Sequence, residues 1–498
     1  MQDAYAQGLK LSAAGRHAEA IGCYEQALVR NGEDTRALFA LGNTARALGM
    51  ARPAEEFFRK VLALEPRRLE ALINLANLLR AQGQFASAQA LLEPALARDP
   101  EAPELWLTLG SIHRESGDRP YAAHCYRQAL TRRADYPAAL VNLADMLADD
   151  GKREEALLLY HRAIAREPQN AQAKLNRSIL HFLNGNLPSA WRDYAARLKL
   201  PGKAPARDHT LPRWDGGTLR NTRLLVMAEQ GIGDELMFAS QFPELIAQAK
   251  AEGGHILIEC EPRLAALFAR SFPQATVRAS KIENKGGVIT AHYDWLKAAG
   301  GAKSAIEMGS LPRYLRSDLA RFSAPHAYLV PDVEEAAHWR GVFADGPHIG
   351  ICWRSGQTGG ARSLQYAPLE AWADFLRDLP GTVVSVQYDA TPDEIAALES
   401  LSGRKILVPQ AVDQKHELDR TCALLSTLDA VISAPTAVSW LAAGAGVPVF
   451  KVLYDTSWTA FGQSREPFAP SCVCVMPDKA GDWRDVFAKV PGLIPPRA

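Results

Sequence analysis

The chain has 498 residues, which at roughly 150 per domain suggests about three domains. Apolar residues at 47% and charged residues at 22% form a globular composition, which excludes a disordered or fibrous chain. Lys plus Arg (56) equal Asp plus Glu (56), so the chain lacks the basic surface that a general nucleic-acid or anionic-membrane binder needs.

The opening residues, MQDAYAQGLK, lack a basic segment followed by an apolar run, and the seven cysteines are scattered without a CxxC. Both features predict a soluble, cytoplasmic chain with neither a secretory signal nor a disulfide framework. The stretch 430–450 is uncharged, but Pro435, Gly444, Gly446 and Pro448 divide it into strand, turn, helix and strand rather than a membrane span.

Written in rows of 34 from Met1, the first part of the chain aligns with itself. The twentieth position reads Ala20, Ala54, Ala88, Ala122 and Ala156, and the twenty-fourth reads Tyr24, Phe58, Leu92, Tyr126 and Tyr160. The eighth is always small (Gly8, Gly42, Ala76, Gly110, Ala144), and Pro66, Pro100 and Pro168 close three rows. Such a row is a helix pair: small residues let the helices approach, and the large residue fills the space between neighbouring rows. Proline then ends the second helix. The pattern resembles tetratricopeptide repeats (TPR). A degenerate sixth row, about 171–198, keeps Gly185, Ala190 and Tyr194 and is predicted to cap or join.

Stacked pairs of this kind curve, with the first helices on the concave side. The sixth row position supplies Asn74, Thr108, Asn142 and Asn176, and the ninth Asn43, Asn77, Ser111 and Asp145. An asparagine amide both donates and accepts, so Asn43, Asn74, Asn77, Thr108, Asn142 and Asn176 are the expected acceptor-binding ladder for an extended peptide. Solvation of a polar groove is the alternative.

Residues 201–217 carry three prolines and no helical period, and are predicted to be a linker. Strand runs follow at 222–228, 255–260 and 275–278, then at 348–353, 382–387, 405–408, 430–433 and 447–452. Helical patterns at 369–379, 417–428 and 437–443 alternate with the second series. The alternation predicts two parallel-sheet α/β domains, 218–340 and 341–498, with ligands at strand carboxyl ends facing a cleft.

Three loops fall there. Loop one, Ala228-Glu229-Gln230-Gly231-Ile232-Gly233-Asp234-Glu235, pairs two glycines with carboxylates in a first helical turn. The carboxylates serve either as helix-dipole partners or as a base. Loop two, 354–363, holds Arg354, Gly356, Gly359, Gly360, Arg362 and Ser363, a predicted phosphate seat or else a solvated surface loop. Loop three is Ser433-Ala434-Pro435-Thr436-Ala437, where Thr436 suits a helix cap beside a phosphate. Trp440 is either core or a stacking platform. Trp353, Gln387, Tyr454 and Asp455 end strands on the same side and complete the expected donor set. With no D-x-D triplet, HExxH or Walker A sequence, no metal or other cofactor is expected.

The segments LLVMAEQGIGDELMF, ICWRSGQTGGARSLQYAPLEAW and LDAVISAPTAVSWLAAGAGVPV resemble GT-B glycosyltransferases of the heptosyltransferase-like group. Placed behind TPR, they are similar to bacterial repeat-bearing transferases, among them soluble flagellin O-glycosyltransferases that attach nonulosonic sugars. The resemblance implies an α plus α/β multidomain chain: a TPR solenoid over 1–200, then a GT-B module of two Rossmann-like domains. The first of these takes the acceptor side and the second the nucleotide sugar. It implies Asp234 as base, with Glu235 and Glu229 as further catalytic candidates. It also implies donor binding through Gly231, Gly233, Arg354, Arg362 and Thr436, and flagellin as partner. Pro435 and Trp440 stand where that group has aspartate and histidine. A changed donor such as a CMP-linked nonulosonic acid, or loss of activity leaving a TPR scaffold, follows from that departure. A heptosyltransferase acting on a glycolipid is the third reading.

Overall fold

The computed structural model describes residues 4–202, 204–229, 231–285, 287–322, 327–343, 346–356 and 360–493, the side chains of 360–362 excepted. They form two compact units, Met1–Ala173 and Lys174–Ala498.

The first unit is built of helix pairs: Ala4–Ala13 with His17–Arg30, Thr35–Ala47 with Ala51–Leu64, and Leu69–Ala81 with Phe85–Arg98. Pro103–Ser116 with Arg119–Arg132 and Pro137–Asp149 with Arg153–Arg166 complete them. The row-position alanines are fully buried. The twenty-fourth-position residue packs inside its own pair, a refinement of the expectation that it fills space between rows. A Cβ on Gly42 would lie 2.7 Å from Phe58, and one on Gly110 would lie 2.7 Å from Tyr126. The turn inside each pair carries a signal that the row alignment passed over: Gly15, Gly49, Gly83, Gly117 and Gly151 all have φ between 74° and 94°. Left-handed backbone there lets an amide three residues past the helix reach back, as in Met50 N–H to the Ala45 carbonyl at 2.8 Å.

The helices Ala171–Leu183, which belongs to the second unit from Lys174 on, and Leu187–Tyr194 form the degenerate sixth row and pack into the α/β part. Phe182 stacks on Phe461 at 5.3 Å and meets Trp458 at 5.1 Å, while Trp191 meets Phe468 edge-on. This row is therefore a junction. Its aromatics pack on Trp458, Phe461 and Phe468, in the segment between the strands Val449–Val452 and Cys472–Val475, rather than on another helix pair.

Strands β1 (Ala206–Arg207), β2 (Arg223–Met227), β3 (His255–Cys260), β4 (Thr276–Ala279), β5 (Ile282–Lys285), β6 (Val288–Ala291) and β7 (Ser304–Glu307) belong to a first lobe. A second lobe holds β8 (His348–Cys352), β9 (Thr382–Ser385), β10 (Ile406–Leu407), β11 (Ala430–Ser433), β12 (Val449–Val452) and β13 (Cys472–Val475). The first lobe has a parallel sheet ordered β4-β3-β2-β7 and a small sheet β1-β6-β5; the second has a parallel sheet ordered β10-β9-β8-β11-β12-β13. Each parallel sheet winds outward from its first strand and then returns to that strand's other side. A switch point therefore opens between β2 and β7, and another between β8 and β11. The predicted linker is partly structured: β1 pairs with β6, and Trp214 is buried. Arg270 bonds Asp419, and Arg263 Nη1 donates to the Lys415 carbonyl at 2.9 Å, tying the lobes together.

Candidate active site

Loop one leaves β2 at the first switch point. Gly231, at φ 100°, caps the helix Ile232–Ala239 and accepts from the Asp234 and Glu235 amides, each at 3.1 Å. Gly233 faces the other lobe, where a Cβ would lie 3.7 Å from both Ala437 Cα and Trp440 Cδ1. Loops one and three therefore meet, at a spacing where a Cβ would make ordinary van der Waals contact.

The three carboxylate candidates separate in this setting. The Asp234 carboxylate has no hydrogen-bond partner among the described residues. Burial first, and the Glu229 charge second, push its pKa up to about 7 against the opposing pull of Arg197. Glu229 is already engaged, accepting from Arg197 and from the Gly309 amide at 3.2 Å. Glu235 is buried and accepts from the Glu261 amide at 2.8 Å, bracing the end of β3, and burial holds its carboxyl well above the usual range. Only Asp234, of the three, combines an unengaged carboxylate with a near-neutral pKa.

Several charged neighbours were not expected. Arg197 is buried, donates to Ser310 Oγ at 3.1 Å and lies 4.5 Å over the Tyr194 ring. Glu259 accepts from the Ala228 amide at 3.1 Å, Tyr293 OH at 2.8 Å and Arg207 at 3.2 Å. A lone glutamate in the apolar run HILIEC was the available signal for Glu259. Arg207 sat in the supposed linker and gave none.

At the second switch point, loop two is braced from within. Gln387 accepts from the Trp353 and Arg354 amides at 3.0 Å each and donates to the Arg354 carbonyl at 2.9 Å and Asp389 at 2.7 Å. Trp353 is buried in the core. Arg354 spends Nε and Nη2 on Glu394 and Nη1 on Asp389, so its guanidinium is committed within the lobe rather than presented to a phosphate. Gly359 and the Arg362 side chain lie outside the described residues. Gly360 and Ser363 belong to the short helix Gly360–Gln365, with Ser363 exposed.

In loop three, Ser433 is buried and donates to the Ala434 carbonyl at 2.6 Å; Pro435 is exposed. Thr436 starts the helix Ala437–Gly444 without a side-chain cap, its hydroxyl lying against Cys352 and Ser433 instead, so it does not cap as expected. Among the described residues nothing bonds the first amide N–H groups of this helix at Ala437. Trp440 is core, and the Lys451 ammonium, paired with Glu466 at 2.7 Å, sits 3.9 Å from its ring centre. Tyr454 packs where a Cβ on Gly481 would come within 2.8 Å, while Asp455 is exposed.

On the first unit, Asn74 Nδ2 donates to Asn43 Oδ1 at 2.8 Å, and Asn142 approaches Ser111 Oγ at 3.5 Å. Asn77 is half-buried. Thr108 departs from expectation: it is buried and spends its hydroxyl on the Glu104 carbonyl at 2.8 Å. Asn176 falls in the second unit.

A tetratricopeptide-repeat family model matches residues 5–68, and that of the middle TPR-like domain of cilia and flagella-associated protein 70 matches residues 75–190. The helix pairs are tetratricopeptide repeats. Protein FlbA of Caulobacter vibrioides is 31% identical over 326 residues, or 64% of this chain and 54% of FlbA. The chain thus spans about half the length of that curated relative. The thermophilic TPR protein TTC0263 of Thermus thermophilus is 28% identical over 36% of this chain and 97% of its own, with a TM-score of 0.33. Pseudomonas aeruginosa pilF is 21% identical over 40% of this chain and 91% of its own, with a TM-score of 0.35. The chain is therefore a TPR solenoid followed by an α/β region with parallel sheets. No helix among the described residues is long and apolar enough to cross a membrane.

Proposed function

We propose that the α/β region is a GT-B glycosyltransferase module that transfers sugar from a nucleotide donor to a Ser or Thr hydroxyl of a protein held by the TPR part. One observation carries the reading. The unengaged Asp234 carboxylate follows Gly233, which packs on Ala437, the uncapped helix start at the other lobe's switch point. A base and an anion seat thus share one cleft.

Asp234 takes the proton of the acceptor hydroxyl as its oxygen attacks the anomeric carbon. The bond from that carbon to the donor phosphate breaks, and the Ala437-end amides receive the departing negative charge. No step calls on a metal or further cofactor. Flagellin as acceptor and a CMP-linked nonulosonic acid as donor rest on the resemblance of the three segments. Mass spectrometry of flagellin from a strain lacking the gene tests them: loss of the sugar supports both, and unchanged glycosylation refutes both.

A second reading, a TPR scaffold with a decayed transferase, is favoured by the commitment of Arg354 to Glu394 and Asp389. Calorimetry against CMP-, UDP-, GDP- and ADP-linked sugars separates the two. A scaffold binds none of them.

A further inference from the structure

A cavity of about 730 Å³ opens at the carboxyl ends of β2 and β3. Glu229, Glu235, Glu259 and Glu261 line one side of it, and the hairpin β5–β6 lines another. Three of these carboxylates have their own cation: Glu229 with Arg197, Glu259 with Arg207, and Glu261 with Arg263. Glu235 has none. Its Oε2 takes the Glu261 amide, its Oε1 has no partner among the described residues, and the residue is 2% exposed. Opposite this polar side, the hairpin presents Ile282, Val288 and Ile289, which are 57%, 59% and 43% exposed.

Such a wall selects against charge. Arg207 and Arg263 line the cavity too, but each is paired, so an anionic nucleotide finds these cations already engaged and a cation finds three of the four carboxylates already neutralised. A neutral ligand meets branched apolar side chains and two buried carboxyls, Glu235 and Glu259, each with one oxygen lacking a partner among the described residues, and burial penalises such an oxygen unless it is bonded. Burial raises the Glu235 carboxyl well above the usual carboxylate range, which favours the protonated form, the one that donates to a carbonyl oxygen.

We propose that this cavity holds an uncharged stretch of the acceptor polypeptide, with Ile282, Val288 and Ile289 covering a branched apolar side chain beside the hydroxyl residue and Glu235 bonding a backbone carbonyl. The proposal rests on the transferase reading for the identity of the ligand, but its test requires no turnover.

The probes are acetyl-Ala-Ile-Ser-Val-Ala-amide and acetyl-Ala-Asp-Ser-Asp-Ala-amide, with binding to the full chain followed by ligand-observed NMR. The neutral peptide should bind at least about tenfold more tightly than the acidic one. Ile289→Asp and Val288→Asp, both on the exposed hairpin and so tolerated by the fold, should each weaken the neutral peptide about tenfold while leaving the melting temperature unchanged. Equal binding of the two peptides, or unaltered binding by both variants, overturns the proposal. Preferential binding of octyl glucoside, which would mark a lipid-like occupant, also overturns it. Peptide binding of the expected pattern without transfer from any donor would leave the cavity assignment standing and refute the transferase. Transfer that is indifferent to both variants would do the reverse.

Discussion

The Arg354 guanidinium grips the Glu394 carboxylate bidentately, Nε to Oε1 at 2.5 Å and Nη2 to Oε2 at 2.7 Å. Burial raises the Glu394 pKa, but the Arg354 hydrogen bonds, joined by the Thr391 amide and Trp353, outweigh it and bring the group down to about 2. An arginine that sequence alone reads as a phosphate ligand is thereby a brace between strand end and helix start.

The pH dependence of that brace follows from its sign. Because Glu394 titrates lower in the folded chain than its ordinary 4.5, its stabilisation is complete above about pH 4.5 and fades as pH falls through about 2. Glu394→Gln should cost on the order of 1–3 kcal/mol at pH 7. Urea unfolding at pH 7, 4 and 2.5 should show the gap to wild type closing toward the acid end. A gap of constant size would refute the assignment.

Asp234 has the opposite sign. Its pKa is raised from 3.8 to about 7, so its contribution to stability is whole below about pH 3.8 and is lost as pH rises through about 7. Asp234→Asn should therefore be more stable than wild type at pH 8, by roughly 1–3 kcal/mol after solvent screening, and nearly equal to it at pH 4. The same variant should lose transfer by about 10²–10⁴-fold, as removal of a general base does. Paired melts and transfer assays check this, and a variant less stable at pH 8 would contradict the burial argument.

Glu229 lifts the Asp234 pKa by its charge, and Arg197 opposes it. Removing the Glu229 charge leaves Arg197 unopposed, so the acid limb of the transfer rate should move below pH 7 in Glu229→Gln. The pH profile of kcat/KM measures that limb. A limb that stays in place would mean that Asp234 is not the titrating group.

The repeats allow a comparison of two glycines. Gly83→Ala puts a side chain at φ 74° with nothing within 4 Å, so it should cost about 1 kcal/mol from backbone strain alone. Gly42→Val meets the Phe58 ring at 2.7 Å as well as losing helix propensity, and should cost about 2–4 kcal/mol. Thermal unfolding of each variant should rank them in that order.

The sequence by itself determined what local periodicity can express. The 34-residue rows, with Ala20 and its counterparts buried and Gly42 matched to Phe58, were legible because helix packing repeats at fixed spacing. So were β3 and β11, since a strand buried on both faces is a nearly continuous apolar run. β5 and β6 were not, because their apolar residues Ile282, Val288 and Ile289 lie in the open and mark no buried face.

Only the tertiary structure decided which charged groups are at liberty. Glu394 lies 40 residues from Arg354, Glu229 lies 32 from Arg197, and Glu259 lies 52 from Arg207. A side chain's pKa and availability depend on burial and on partners brought near by folding, and no local spacing records either. That is why three loops could be named from the chain, while the separation of Asp234 from Glu229, Glu235 and Arg354 required the packed lobes.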